Sequence, residues 1–411
     1  MTSSGRHDMA DADVQSAAGM NSDYTRPVAD HRNMQATSVH QSPSPGSRAK
    51  PQMQTSAPAM GGAPHHMMSG GDARGNQQNS SAVDGDNLLR FDEIVLESNE
   101  IDLAELQQAH GFTERRFPQA IYLGIMLEGK RHGRGVMKYA NGRQYEGQWE
   151  KDLRNGKGFE RYPNGNSYYG SFKMGKADGK GVYTWVNGEV YDGEWMTGLK
   201  HGYGIWRGLF NDSYIGEWHE SKAHGYGVHT WKNGDRYEGE WNMCLKHGTG
   251  TDIFVNGDAY TGEYVDGKPD GKGQYTWSNG ACYMGDFKRG MKEGKGKWRS
   301  ARGPQCNSYE GDYLNDRKHG YGVFQWASGN IYKGEYREDE RDGYGEMYWT
   351  DGSCYQGEWI RGIQHGYGKM IFPDGTKKEG YFENNVFKVQ VQISQEQQEL
   401  ERAKNVRPAQ A

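Results

Sequence analysis

Across 411 residues the chain carries a formal net charge of −5, with only 34% hydrophobic residues, 12% aromatics and 61 glycines, a glycine share roughly twice the usual. The absence of a run of about 18 apolar residues argues against a membrane-spanning helix; the polar start Met-Thr argues against a secretory signal or N-myristoylation. Four cysteines are too few for a disulfide scaffold, which points to a reducing compartment, and the glycines lack collagen's every-third spacing.

Residues 1–87 contain no Trp, Phe, Ile or Leu, and Tyr24 is their one tyrosine. Such a segment cannot bury enough apolar surface to offset chain entropy, so it is expected to be a disordered tail. His65-His66-Met67-Met68 within it reads as uncommitted polar tail rather than a metal site. Residues 88–117 differ. Leu88, Leu89, Phe91, Ile94, Val95 and Leu96 form an apolar run, and Asp102–Gln108 reads as a short helix that Gly111 would end. This acidic segment is expected to cap the repeats on its C-terminal side or to dock a partner, because terminal repeats must be covered.

From Tyr122 to Tyr381 lie every Trp and every other Tyr. Anchor tyrosines recur in Tyr-x-Gly-x-aromatic at 122, 145, 168, 191, 214, 237, 260, 283, 309, 332 and 355, spaced 23 residues apart except for 26 between Tyr283 and Tyr309. A degenerate twelfth comes at Lys378-x-Gly380-x-Phe382. Ten residues after most anchors comes a polar residue followed by Gly-x-Gly, as in His201-Gly202-Tyr203-Gly204, and then Asn-Gly or Asp-Gly. Tyr191, Gly193 and Trp195 alternate with Asp192 and Glu194, the period of a strand with one apolar face. The Gly-x-Gly segment starts a return strand, and Asn-Gly is a strong hairpin signal that places a turn there. The equivalent triplets Tyr145-Gly147-Trp149, Tyr214-Gly216-Trp218, Tyr237-Gly239-Trp241 and Tyr355-Gly357-Trp359 are expected to be structural anchors, with rings of neighbouring hairpins laid across the bare glycines.

These residues resemble MORN (membrane occupation and recognition nexus) repeats, whose pattern is Tyr-x-Gly-x-Trp, His-Gly-x-Gly and a closing Asn/Asp-Gly. The resemblance spans about 120–383. It implies an all-β fold: an elongated, solenoid-like antiparallel single-sheet ribbon of about eleven stacked 23-residue hairpins, on the order of 100 Å long at roughly 4.8 Å per strand. The array is expected over 118–385, with a closing strand and short helix over 386–411. Repeat one ends its first strand in Met126, repeat four has Asn211-Asp212 for Asn-Gly, and repeat eight is longer and lacks the closing Asn-Gly, so a bulge, bend or break is expected there.

Chemistry is not indicated. Gly175–Gly181 and Gly267–Gly273 miss the phosphate-loop spacing and its Ser/Thr. His132, His201, His224, His247, His319 and His365 form a stripe of repeat-equivalent positions roughly 9–10 Å apart, too far to converge on a metal. Glu194, Glu217, Glu240, Glu263, Glu335 and Glu358 read as a solvent-facing ladder, and Cys282 and Cys354 are too far apart to pair. No catalytic residue, metal or cofactor is expected, and basic and acidic residues cancel over 118–387, which disfavours nucleic acid. Lys288, Arg289, Lys292, Lys295, Lys297, Arg299 and Arg302 cluster at repeat eight as a candidate anion-binding or lipid-binding patch.

The composite expectation is a non-enzymatic scaffold whose aromatic groove docks protein partners, cytoskeletal or axonemal, in the cytoplasm at a cilium, flagellum (radial-spoke-like) or cell cortex. The resemblance also implies two alternatives: a tether binding anionic phosphoinositides through the basic patch, and a regulatory module related to phosphatidylinositol-phosphate kinases without a kinase domain. The closing edge would also serve homodimerisation through the ribbon end.

Overall fold

The computed structural model describes residues 101–389. The early apolar run 88–96, the His-Met cluster and the helix expected over 396–404 lie outside these residues. Among the described residues are one short helix, Leu103–Gln107, and 25 strands in one open sheet, each antiparallel to its predecessor in the chain.

One unit shows why the sequence folds so. Val190–Met196 pairs with Leu199–Arg207 across the two-residue turn Thr197-Gly198, whose φ values of 52° and 91° are both left-handed. That is the tight turn whose twist suits a hairpin. It is not at Asn-Gly, as the sequence suggested. The same position holds Glu220-Ser221 at 47° and 66° and Asn315-Asp316 at 50° and 69°. Asn-Gly instead closes a five-residue loop. Trp185 N–H donates to Glu189 O, Gly188 N–H donates to Trp185 O, and Asn187 Oδ1 accepts from Glu189 N–H. Only the glycine of that pair, Gly188, has positive φ. In repeat four, Phe210 and Asn211 take left-handed φ values of 57° and 67°, and Asp212 accepts a 2.8 Å bond from His229 Nε2 when that nitrogen is protonated.

Within each hairpin the register runs Tyr191↔Trp206 and Gly193↔Gly204, then jumps to Glu194↔His201. The return strand therefore carries a bulge at Gly202-Tyr203, and Gly202 has φ 58°. The bulge frees the Glu194 carbonyl, which accepts the Tyr191 hydroxyl at 3.0 Å. All eleven anchor tyrosines make this bond to the residue three positions on. To reach it, the ring lies over its own hairpin's glycine pair. A Cβ on Gly193 would sit 2.6 Å from Tyr191 Oη and 2.6 Å from Gly204 Cα. The ring across the glycines is thus the strand's own tyrosine, not a neighbour's.

The third residue of the motif adds a second tie. Trp149, Trp195, Trp218, Trp241 and Trp359 each donate Nε1–H to the Gly-x-Gly carbonyl of the preceding hairpin, Trp195 to Gly181 O at 2.9 Å. Rings then alternate edge to face along the sheet. Tyr191 meets Trp195 at 5.2 Å and 86°, and Trp218 at 5.3 Å and 83°. Edge-to-face pairs of this kind contribute about 0.5–1.5 kcal/mol each beyond burial.

Repeat eight does not break the sheet. Trp298↔Tyr309 and Gly296↔Gly311 keep the usual register, and Ser300 N–H donates to Asn307 O, so the extra residues sit in the loop 300–307. At the two ends, Phe112–Phe117 pairs with Ala120–Leu127, and Val386–Val389 pairs with Lys377–Glu383. Asp102 caps the helix, accepting from Ala104 N–H and Glu105 N–H. Among the described residues no helix is long and apolar enough to cross a membrane.

Candidate functional site

Strand alternation gives the sheet two faces with different jobs. The first carries the rings, and its anchor tyrosines are at most 1% exposed. The predicted anchors at repeats 2, 4, 5, 6 and 11 all lie there. Their rings are occupied with one another and with backbone carbonyls, so the aromatic ladder is not an open groove, contrary to expectation.

Sequence reasoning missed the cations of this face. On the return strand, two residues after the left-handed turn closes, Arg131 lies 4.3 Å over Trp149, Lys200 4.5 Å over Trp218 and Arg341 4.4 Å over Trp359. Lys200 is 0% exposed, and burial pushes its ammonium down to about 8. A basic residue five positions after the motif's closing residue, in most repeats, was the available signal.

The expected carboxylate ladder is exposed except at the half-buried Glu335, yet several of its members brace the bulge rather than simply facing solvent. Glu217 Oε1 accepts from Tyr226 N–H at 3.2 Å, and Glu240 Oε1 from Thr249 N–H at 2.9 Å. The histidine stripe is bridged at one place. His219 stands between His201 and His224, with ring centroids 5.2 and 5.7 Å away. Among the described residues no group of three or more His, Cys, Asp or Glu is arranged to hold a metal ion, and the four cysteines are free thiols.

The repeat-eight basic cluster is dispersed by the same alternation. Lys292 is on the ring face, buried, with its ammonium over Tyr283 and Tyr313, and burial lowers its pKa. Lys295 pairs with Asp312 at 2.5 Å, Lys297 with Glu310 at 2.9 Å and Lys288 with Asp270 at 2.9 Å. Arg299 donates to Gly303 O. Among the described residues, Arg289, Arg302 and the buried Lys292 make neither ion pair nor hydrogen bond through their side chains. The seven residues do not form one cationic surface.

The second face is the open one. Directly opposed residues build a single row across it: Leu123, Val136, Glu146, Phe159, Tyr169, Val182, Asp192, Ile205, Ile215 and Val228 through repeat five, in the order of the pairing. Beyond it the row turns polar, through Glu238, Thr251, Thr261, Gln274, Met284, Lys297 and Glu310. A shallow groove of about 1060 Å³ lies on the polar part, with Thr261, Gln274, Met284 and Lys297 in its floor. This row was readable from the residue after each anchor Tyr and the residue after each Gly-x-Gly.

The comparisons fit this geometry. The family model described as MORN repeat matches eleven consecutive segments, 122–142, 145–167, 168–190, 191–208, 214–236, 237–259, 260–282, 283–304, 309–331, 332–354 and 355–377, more than half of the chain. No curated protein matches. Among solved structures, the TCP domain of SAS-4 (dCPAP) from Drosophila melanogaster, in complex with a proline-rich motif of Ana2 (dSTIL), is similar at 12% identity and TM-score 0.25, over 38% of this chain and 84% of that one. A streptogramin B lyase is similar at 11% identity and TM-score 0.13, over 66% of this chain and 82% of that one. Scores this low carry no argument about function.

Proposed function

The chain belongs to the MORN-repeat family, and on that premise we propose that it is a non-enzymatic scaffold of a cytoskeletal assembly, ciliary, flagellar or cortical, that docks protein segments on its second face. MORN repeats are in general binding repeats, and repetition without convergent chemistry suits that role. The observation that carries the reading is the division of labour between faces. Rings, glycines and cations tie up the first face, while the second presents a continuous row with Tyr169 53% and Ile215 40% exposed.

Proximity labelling with the full chain in its native cell tests this. Enrichment of cytoskeletal or axonemal proteins is expected. Recovery of none would remove the cytoskeletal assignment. Flotation with phosphoinositide vesicles is the companion measurement. Binding that Arg289→Glu and Arg302→Glu abolish would replace the protein-docking reading with a lipid one.

A further inference from the structure

Several of the two-residue turns are clipped to the return strand of the preceding hairpin in the same way. The second turn residue donates its N–H to the carbonyl of a ring-face residue, and its side chain accepts that residue's own N–H. Asp152 does so with Arg131 at 3.0 and 2.9 Å, Asp316 with Lys292 at 3.0 and 2.8 Å, and Asp339 with Lys318 at 3.0 and 2.9 Å. The carboxylate of the clip also serves the cation. Asp152 Oδ1 pairs with Arg131 Nε at 3.0 Å and Asp339 Oδ1 with Lys318 Nζ at 3.1 Å, while the Asp316 charge works against the burial that lowers the Lys292 pKa. Elsewhere on this face the cation has another acceptor. Arg154 donates to Gly175 O, Arg341 donates to Gly362 O, and Lys246 pairs with Asp252.

The turn of repeat five keeps the clip and loses its charge. Ser221 N–H donates to Lys200 O at 2.9 Å, and Ser221 Oγ accepts from Lys200 N–H at 3.1 Å. A hydroxyl therefore stands where the other clips have a carboxylate. The backbone is the same left-handed one, with φ of 66° at Ser221 and 70°, 69° and 74° at Asp152, Asp316 and Asp339. The Lys200 ammonium is left over the rings of Trp218, Tyr191 and Trp185, fully buried and with no hydrogen-bond partner. Cys244 and Glu189 act on it through space alone. A buried cation without a paired anion is costly. Ser221 itself is half-buried between the exposed Glu220 and Lys222, so its hydroxyl lies at the rim of the sheet.

We propose that Ser221 is a phosphorylation site whose phosphate completes the clip by pairing with the Lys200 ammonium. Ser221 Oγ attacks the γ-phosphorus of a nucleoside triphosphate held by a protein kinase. The new O–P bond forms as the bond to the β,γ-bridging oxygen breaks, the hydroxyl proton passes to the kinase's base, and the nucleoside diphosphate departs. The product carries about −1.5 to −2 charges and three strong acceptor oxygens. It reaches one bond beyond a carboxylate, toward an ammonium that has no hydrogen bond to give up. A kinase takes its target segment extended, so the turn must open first. Opening here hydrates a cation that folding leaves unpaired, which lowers the cost of exposing residues 218–222. Once phosphorylated, the turn is held to the preceding hairpin and that opening is suppressed. The ribbon then has two states, loosely or firmly clipped between repeats four and five, whatever docks on its second face.

Two measurements on the full chain test this. Mass spectrometry of the chain isolated from its native cell with phosphatases inhibited is expected to show a peptide with phosphate on Ser221, lost on phosphatase treatment. Its absence from both dividing and resting cells overturns the modification. Hydrogen exchange then compares a chain with phosphoserine encoded at position 221 against the unmodified chain. Exchange across 199–207 and 213–230 is expected to slow at least tenfold, with 145–161 unchanged, and Ser221→Asp is expected to slow it several-fold. In a Lys200→Met background the phosphate is expected to bring no slowing. A phosphate that leaves exchange unchanged, speeds it, or slows it equally in Lys200→Met overturns the pairing with Lys200.

Discussion

The two faces of this sheet are built from alternate residues of the same strands, yet they solve different problems. On the ring face every unit repeats the same contacts: tyrosine over its glycine pair, hydroxyl to the carbonyl freed by the bulge, ring edge to ring face. On the second face the repeat holds the backbone constant while the side chains drift from Val136 and Ile205 to Thr261 and Lys297. What is invariant is structural, and what varies is available for recognition. That difference explains how 34% hydrophobic residues suffice, since a one-layer sheet needs only one apolar face.

Substitutions on the ring face should separate from those on the second face by an order of magnitude in stability. Because each repeat contacts mainly its neighbours, native-state hydrogen exchange around the altered repeat reads the effect better than a global melt. Trp195→Ala should cost about 3–5 kcal/mol there, through lost ring contacts and a cavity. Gly193→Ala should cost about 2–3 kcal/mol, because its Cβ meets the backbone of Gly204 and cannot be accommodated by a rotamer change. Trp195→Phe keeps most of the ring packing but leaves Gly181 O without its donor, for about 1–2 kcal/mol. A Trp195→Phe variant as damaged as Trp195→Ala would show that the hydrogen bond, not the ring ladder, carries the tie.

Lys200 gives the ring face a pH signature. Its folded pKa is lowered to about 8 from 10.5, so between these values the unfolded chain still binds a proton that the folded one has released. Stability near repeat four should therefore rise with pH through that window by up to about 3 kcal/mol, with the full cost present below pH 8. Lys200→Met should be more stable than the parent by about 1 kcal/mol at pH 7 and should lose this slope. An unchanged slope in that variant would assign it to other groups. The smallest effect is expected on the second face: Val182→Ser should cost no more than about 0.5 kcal/mol, since its site is half open.

Period-two alternation, glycine spacing and the recurring aromatics were enough to read hairpins, their number and their stacking order. The turns were harder. Asn-Gly suits a two-residue turn, but here the left-handed pair falls at residues such as Glu220-Ser221, where no sequence signal demands it and the twist of the paired strands imposes it. Lys292 reads as one more charge in a basic run, although period-two alternation puts it with Gly296 and Trp298 on the ring face, where it is buried. The expected patch was lost for the same reason. The docking of Ile101 and Leu106 on the second face was beyond pattern alone, because it depends on where an irregular segment crosses the sheet.

The division between the faces is tested most directly by one variant of the full chain, Val182→Ser/Ile205→Ser/Val228→Ser, read two ways at once. The account predicts that proximity-labelled partners fall at least tenfold while the melting temperature moves by only a few degrees, roughly what loss of about 1–2 kcal/mol implies. Unchanged capture, or a collapse in stability as large as that of Trp195→Ala, would contradict it.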